Sequence, residues 1–460
     1  MTAPAEPSQP PGAHISRGEW GLILLLMAIQ FTHMVDFVII MPLGGRLIDE
    51  LSLKEAQFAH IVSAYAWAAG VASLAASFVM DRFDRKTVLL TMYAGFTLST
   101  LFCGLAAGYE LLLLSRTLAG AFGGTAAVAL MSVIGDVFPP EKRGRASGAV
   151  MSSFAVASIA GLPAGLMLAE WFGRGAPFLV LAALSALVWA LVWSKLPPVR
   201  GHLTANRPNR WAEFGEVVSN RTYLGAFAFS FFLVLGTFTV ASFIGPYLKA
   251  LNGWTERQLA QLYFVAGACT LVGMTVVGRL SDKFPRLTLF RVIGSAALLM
   301  AVVVTHLPPG PLWVAAVVMS GFMVVAAGRM VPVQALLLGV AGPKNRGAFM
   351  SVNTAVQHAA TGLAPLIAGA LVTLNPLPPV GFENVGWVAA VTAAVSLVLA
   401  GVLKPAPADK SPLDAIDAPA PDARGLPEAH DNRGPVVAKP ALPARDTPDE
   451  PTPEIAKVVS

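Results

Sequence analysis

About twelve stretches of roughly twenty apolar residues run along this chain between residues 19 and 403, and that spacing leaves few folds open. A helix needs about 20 residues to cross the ~30 Å hydrocarbon core of a bilayer, and there it satisfies its own backbone hydrogen bonds. The stretches fall at 19–43, 56–80, 87–107, 110–137, 145–171, 176–195, 221–248, 256–280, 287–307, 311–340, 347–374 and 384–403. They are continuously apolar rather than alternating, which excludes a membrane β-barrel. Charged residues make up only 13% of the chain, against about 25% in soluble domains. The expectation is an all-α membrane protein with twelve transmembrane helices. The first stretch is too long, and lacks a small-residue cleavage site, to be a removed signal peptide.

The chain also repeats itself. Ser77-Phe78-Val79-Met80-Asp81-Arg82-Phe83-Asp84-Arg85-Lys86 returns as Gly278-Arg279-Leu280-Ser281-Asp282-Lys283-Phe284-Pro285-Arg286, each copy just after an apolar stretch. Arg143-Gly144 answers to Arg346-Gly347 at nearly the same offset, and Gly161-Leu162-Pro163 answers loosely to Gly362-Leu363-Ala364-Pro365. Three matches in register make two pseudo-symmetric six-helix halves, the arrangement from which membrane carriers are built. The predicted organisation is a disordered cytoplasmic N-terminus (1–18), a first half (19–195), a cytoplasmic linker (196–220), a second half (221–403) and a disordered cytoplasmic tail (404–460). The tail turns to Pro, Ala, Asp and Glu and has too little to bury to offset the entropy of ordering.

Lys and Arg set the orientation. If the N-terminus is cytoplasmic, the inner connections collect Arg82, Arg85, Lys86, Lys142, Arg143, Lys195, Arg200, Arg279, Lys283, Arg286, Lys344 and others. The outer ones hold only Arg46, Lys54, Arg174, Lys249 and Arg257, an asymmetry of roughly threefold in the sense of the positive-inside rule. The net charge of +5 is spread over these loops and not gathered on one face, so it does not make a nucleic-acid footprint. Cys103 and Cys269 fall in apolar stretches of opposite halves and read as small buried hydrophobes, neither disulfide nor metal ligands.

Ionisable groups inside a bilayer are costly, and each is a functional hypothesis. The sequence offers His33 and Asp36 in the first stretch, Arg116 in the fourth, Arg329 in the tenth and His358 in the eleventh. Counting at ~1.5 Å per residue puts Asp36 and Arg116 at depths where they could face each other. A carboxylate beside a guanidinium can give up or take a proton as its surroundings change, so the pair is the proton-coupling candidate, with a purely structural ion pair as the alternative. Arg329 lies nearer the midplane, where carriers hold their substrate, in Gly328-Arg329-Met330-Val331-Pro332, with Asp36 or a substrate oxygen as its expected partner. Gln30 and His33 from the first stretch, and Asn353, Gln357 and His358 from the eleventh, add donors and acceptors; helix-to-helix hydrogen bonding is the competing role for each amide.

Residues Asp81 to Lys86 resemble the signature between helices 2 and 3 of the major facilitator superfamily, Gly-x-x-x-Asp-Arg-x-Gly-Arg-Arg/Lys, with Ser77 and Asp84 at its two Gly positions. Arg116-Thr117-Leu118-Ala119-Gly120 looks like the family's helix-4 signature. Gly161-Leu162-Pro163-Ala164-Gly165 looks like a drifted form of the helix-5 antiporter signature, so that Gly161, Pro163 and Gly165 would be its key positions. The resemblance spans about residues 19–403 and is to the drug/proton antiporter branch, including bacterial sugar and drug efflux permeases. It implies a cytoplasmic gate in which Asp81, Arg82, Arg85, Lys86 and Asp136 form one network, Arg85 pairing with Asp136, while Asp282, Lys283 and Arg286 make a plainer second latch. It also implies a monomeric secondary transporter of the bacterial inner membrane, both termini cytoplasmic, exchanging a small organic solute (drug or sugar-like) for protons. Uptake or facilitated diffusion of an organic anion is the alternative, and a membrane-embedded sensor or enzyme the rival of another class. No Walker-type phosphate loop occurs, and neither cofactor nor metal is expected; the partners are a small-molecule substrate, protons and the lipid bilayer.

Overall fold

The computed structural model describes residues 15–200, 210–341, 345–375 and 377–403. Both predicted disordered ends, except residues 15–18, and Arg207 and Lys344 lie outside them. Among the described residues there is no β-strand, only an isolated bridge between Thr373 and Val380. The first half comprises α1 (Arg17–Ile39), a short α2 (Gly44–Leu51), α3 (Glu55–Val79), α4 (Arg85–Leu105), α5 (Tyr109–Val137), the segments α6 (Pro140–Met151), α7 (Ser153–Val156) and α8 (Leu162–Phe172) of one interrupted span, and α9 (Ala176–Lys195). A linker helix α10 (Arg210–Ser219) leads to α11 (Arg221–Asn252), α12 (Glu256–Lys283), α13 (Arg286–Thr305), the paired segments α14 (Leu312–Gly328) and α15 (Met330–Val340), α16 (Arg346–Leu371) and α17 (Phe382–Ala400).

Eleven of the twelve spans are long and apolar enough to cross a membrane on those grounds alone. The twelfth, α16, has the length at 26 residues, but Asn353, Gln357, His358 and Pro365 dilute its apolar character. Exposed tryptophans mark two interfaces: Trp20, Trp193 and Trp211 sit at the bundle end that holds the Asp81–Lys86 signature, and Trp171, Trp313 and Trp387 at the opposite end. Such aromatic belts sit at headgroup level in membrane proteins.

Local chemistry explains where helices start and break. Ser16 opens α1 with a reciprocal cap to Glu19, and Thr255 opens α12 the same way with Gln258. Pro163 cannot donate to the carbonyl four residues back, and just before it Ala157–Gly161 widen into a π-helical turn. Pro332 likewise leaves the Gly328 carbonyl without its donor, and the tenth span breaks at Arg329. The first span ends at Ile39, four residues before the predicted 43, because the chain turns there into α2.

The apolar core is asymmetric along the membrane normal. At the end opposite the signature a single cluster draws on both halves, joining Ile39, Phe58, Leu166 and Phe178 to Phe243, Tyr263, Phe322 and Phe382. Phe58 and Phe243 meet there edge to face with ring centroids 5.5 Å apart. At the signature end there are two clusters, one confined to the first half with Tyr93, Leu130 and Val188, the other to α10 and the second half with Phe229, Phe290, Val333 and Phe349. The linker helix spans the gap: Val217 is fully buried in the second-half cluster, while Phe78 of α3 stacks on Trp211 at 4.5 Å. The bundle is thus sealed at one end and parted at the other.

Asp84, which stands where the signature has glycine, ties the signature loop to the segment that follows α9. Its carboxylate caps α4 by accepting from the Lys86 N–H and also accepts from the Val199 N–H at 3.0 Å and from Arg200 Nε at 3.0 Å. The Arg85 N–H donates to the Val199 carbonyl, and Lys86 Nζ to that of Trp193. Burial pushes the Asp84 carboxyl up, but the hydrogen bonds from Arg200, Val199 and Lys86 outweigh it and hold the group below its ordinary value.

Two measurements check this account. Gly120 of α5 lies against the α3 backbone so closely that a Cβ would stand 2.2 Å from the Tyr65 carbonyl oxygen, whereas one on Gly135 would meet nothing within 4 Å. Gly120→Ala should therefore lower the thermal midpoint of the purified protein by the equivalent of about 1–3 kcal/mol, and Gly135→Ala should leave it unchanged or raise it. Asp84→Ala should cost about 1–2 kcal/mol at pH 7. Because the folded carboxyl is depressed, that difference should be fully present above the unfolded pKa of about 3.9 and vanish as pH falls through the lower folded value; a difference independent of pH would refute the charged staple.

Candidate functional site

Among the described residues, one ion pair is completely buried. Asp36 of α1 and Arg116 of α5 are both 0% exposed, with Arg116 Nη1 donating to Asp36 Oδ2 at 2.9 Å. The same Nη1 donates to the Asp36 carbonyl oxygen at 3.1 Å, a C-terminal carbonyl of α1 where a cation is also favoured by the helix dipole. Thr100 Oγ1 of α4 donates to Asp36 Oδ1 at 3.3 Å, and the guanidinium carbon lies 4.2 Å from the centroid of the Tyr65 ring. Taking such charges out of water costs several kcal/mol per ion, repaid only by close pairing and further hydrogen bonds.

The pairing is incomplete in a telling way. Arg116 Nε and Nη2, both ring nitrogens of His33 and the Tyr65 hydroxyl are buried without a hydrogen-bond partner. They belong together: a Cβ on Gly123 would stand 2.7 Å from His33 Cδ2 and 3.1 Å from the Tyr65 hydroxyl. Buried polar groups are ordinarily satisfied, so this cluster holds unused hydrogen-bonding groups beside a fully buried pair. On its far side Phe37 packs on Tyr65 with centroids 5.5 Å apart and reaches Phe238 of the second half at 5.9 Å.

The second half contributes its own polar layer. Arg329, 4% exposed, sits at the break between α14 and α15. Its Nη2 donates to the Leu233 carbonyl of α11 at 3.1 Å and to Thr237 Oγ1, and its Nε has no partner. The expected partnership with Asp36 is therefore corrected: Asp36 is taken by Arg116, and Arg329 turns to α11, whose Leu233 carbonyl and Thr237 hydroxyl lie within its reach. Asn353 Oδ1 and Gln357 Nε2 on α16 are also buried and unpartnered. His358 packs against Gly70 of α3, where a Cβ would stand 2.8 Å from its own. Gln30 is buried on α1, one turn from His33.

At the signature end, Arg85 is bracketed by two acids, its Nη2 2.7 Å from Asp81 and its Nε 2.9 Å from Asp136 at the end of α5. A three-residue 3-10 turn, Met80–Arg82, swings Asp81 toward Arg85; Arg82 is exposed. The second copy differs. Asp282, Lys283 and Arg286 are exposed and have no ion-pair partner among the described residues, so the second latch is not formed here. The reason is local: α12 stays helical through Lys283, and the last turn of α15 offers no acid in the place of Asp136.

The helix-5 motif serves close packing of α8 and its π-turn on α1. A Cβ on Gly161 would stand 2.4 Å from Val35 Cγ2, and one on Gly165 2.6 Å from Ile39 Cδ1. Cys103 is buried as expected, but Cys269 is exposed on the outer face of α12, which corrects its reading as a buried hydrophobe. No group of three or more potential metal ligands occurs among the described residues.

Sequence reasoning missed Tyr65, Phe37, Thr100, Thr237 and Phe238. The available signal for Tyr65 was Gly120-x-x-Gly123-Gly124 on the fourth span, whose missing Cβ atoms admit the α3 backbone and the His33 and Tyr65 side chains. Nothing in the sequence pointed to the two phenylalanines.

Comparison with known proteins agrees with this geometry. The chain is 28% identical over 352 residues to the uncharacterized MFS-type transporter YceJ of Bacillus subtilis, covering 76% of this chain and 88% of the relative. It is 27% identical over 241 residues to a Helicobacter pylori protein named probable sugar efflux transporter, covering 52% of this chain and 60% of that one. Among solved structures it resembles a bacterial homologue of the human lysosomal transporter Spinster in an inward-facing, unoccupied conformation, at 18% identity and TM-score 0.63 over 85% of this chain and 95% of that one. It also resembles a D-xylose–proton symporter, at 14% identity and TM-score 0.69 over 84% and 98%. The Major Facilitator Superfamily profile matches residues 26–328, and with twelve membrane helices in two halves this multi-pass membrane protein belongs to that family and is a transporter, not an enzyme.

Proposed function

We propose that the chain exports a small polar organic solute, sugar-like or drug-like, in exchange for protons, by alternating access. The observation that carries this is the fully buried Asp36–Arg116 pair with unused donors of Arg116, His33 and Tyr65 around it. A carboxylate in such surroundings can change protonation when a substrate or a helix movement alters the balance between burial and its cation. Because Asp36 lies on α1, next to the Phe37–Phe238 contact between the halves, its charge state can bias which end of the bundle closes.

The sign of the Lys and Arg bias supports a signature end and both termini on the cytoplasmic side of a bacterial inner membrane. The parted end then faces inward, where an exporter collects its substrate. The two halves pivot on the shared core at the sealed end, while the Arg85 network holds the signature loop to α5 at the inner end. The H. pylori relative is named for sugar efflux and the D-xylose structure for proton symport; both names fit a polyol-like substrate met by Asn353, Gln357, Thr237 and Arg329. A monomer contains every group this mechanism uses. A second reading, transport of an organic anion, is favoured by one observation: Arg329 has a buried, unpartnered Nε and no carboxylate beside it.

In proteoliposomes, Asp36→Asn should abolish solute movement driven by a pH gradient while exchange of solute down its own gradient continues; gradient-driven transport at the wild-type rate would remove Asp36 from the coupling. Arg329→Gln should weaken substrate affinity about 10- to 150-fold, the loss of one charge-assisted hydrogen bond of about 1.5–3 kcal/mol, read as the half-saturation concentration over sugars, lipophilic cations and carboxylates. Saturation like the wild type for every solute would exclude Arg329 from the substrate site, and a loss confined to carboxylates would favour the anion reading.

A further inference from the structure

A groove of about 1030 Å³ runs along the outside of the bundle on α12, flanked by α8 of the first half and α14 of the second. Its walls are almost wholly apolar, and Phe264, Val265, Trp313 and Val317 are between 42% and 68% exposed. In a membrane-spanning chain such exposure faces hydrocarbon. The lining extends along α12 from Arg257, its second residue, to Cys269, roughly 18 Å at ~1.5 Å per residue. That is close to the depth of one leaflet, half of the ~30 Å hydrocarbon core.

The mouth differs from the walls. Arg257 is exposed at the helix end, level with the Trp313 belt, and it has no ion-pair or hydrogen-bond partner among the described residues. Nearby, Lys249 is paired with Glu256 at 2.6 Å and Arg174 with Glu50 at 3.1 Å, while Glu170 is exposed near the end of α8. A free guanidinium at headgroup level above a leaflet-deep apolar trough complements one kind of molecule, a diacyl lipid with a net negative headgroup. Its phosphate would meet the Arg257 fork, for which guanidinium geometry is suited, and one acyl chain would lie between α8 and α14.

We propose that this groove binds a single anionic phospholipid in the leaflet opposite the signature loop. The site depends on the membrane placement of the bundle and not on the direction or coupling of transport. Since α8 and α14 belong to different halves, the lipid touches both, and its occupancy reports and favours the conformation in which that end is sealed.

The full chain, delipidated in detergent and titrated with palmitoyl-oleoyl phosphatidylglycerol or phosphatidylcholine, can be followed by native mass spectrometry. The wild type should take up one phosphatidylglycerol with about fivefold preference over phosphatidylcholine, the increment of one interfacial cation toward an anionic lipid. Arg257→Gln, an exposed substitution, should bring phosphatidylglycerol down to the phosphatidylcholine level with the thermal midpoint of the lipid-free protein unchanged. Ala316→Trp, which fills the trough, should lose both lipids. An undiminished preference in Arg257→Gln, lipid retention in Ala316→Trp, or a two-chain species in place of the lipid adduct would each overturn the proposal.

Discussion

A charge pair withdrawn completely from solvent forces its surroundings to be built around it. Asp36 and Arg116 can remain ionised only because each stands within hydrogen-bonding distance of the other and because Thr100, the Asp36 carbonyl and the Tyr65 ring take up part of what remains. These contacts require α1, α3, α4 and α5 to meet within a few ångströms. The α3–α5 approach that makes this possible depends on Gly120 and Gly124, whose missing side chains let backbone touch backbone. Removing one partner of such a pair costs more than the pair itself contributes, about 3–5 kcal/mol, because a bare charge is left in hydrocarbon. The first half is therefore organised as a rigid unit around a polar centre.

Rigidity in each half and asymmetry between the ends together define the motion available. The shared core at the sealed end contains rings from both halves in contact, Phe58 on Phe243, with Tyr247 stacked on Phe382 within the second half beside them. At the signature end each half closes its own core, so separating the halves there exposes no apolar interior that is not already covered. The linker helix spans that end, through Phe78 on Trp211 on one side and Val217 on the other. Small residues on α16 and α3, such as Gly70 under His358 and Gly369 against Ala59, keep the flanking interface smooth enough for one helix to slide on the other.

Much of this was legible in the chain, and the reasons are physical. Apolar runs must be long enough to cross the bilayer, so the helices were visible within a few residues. Ionisable residues inside those runs are rare because they are costly, so Asp36 and Arg116 stood out, and depth counting brought them level. What the sequence withheld was direction. Arg329 looked like a charge in search of Asp36 or a substrate oxygen, but a guanidinium can also bond a backbone carbonyl and a hydroxyl, and Leu233 and Thr237 supply both. The repeat implied a second latch at Asp282 and Arg286, but a repeat conserves residue types more easily than the acid on a neighbouring helix that completes a network. Cys269 in an apolar span read as buried, because composition does not separate a face turned to lipid from one turned to protein.

The departures from the family signature are as informative as the matches. A glycine at residue 84 would leave the loop between α3 and α4 held by Arg85 and by the Lys86 contact to the Trp193 carbonyl, whereas Asp84 adds three acceptor contacts, two of them to the stretch of chain leaving α9. The signature loop is thereby fastened to the root of the linker, and the linker carries α10, which is seated in the core of the second half. Arg85, held by Asp81 and Asp136 together, also donates its N–H to the Val199 carbonyl, so the signature network and the stretch of chain that leaves α9 are bonded as one element. A chain with glycine there would link the same two parts only through the Arg85 N–H to the Val199 carbonyl and the Lys86 ammonium to the Trp193 carbonyl.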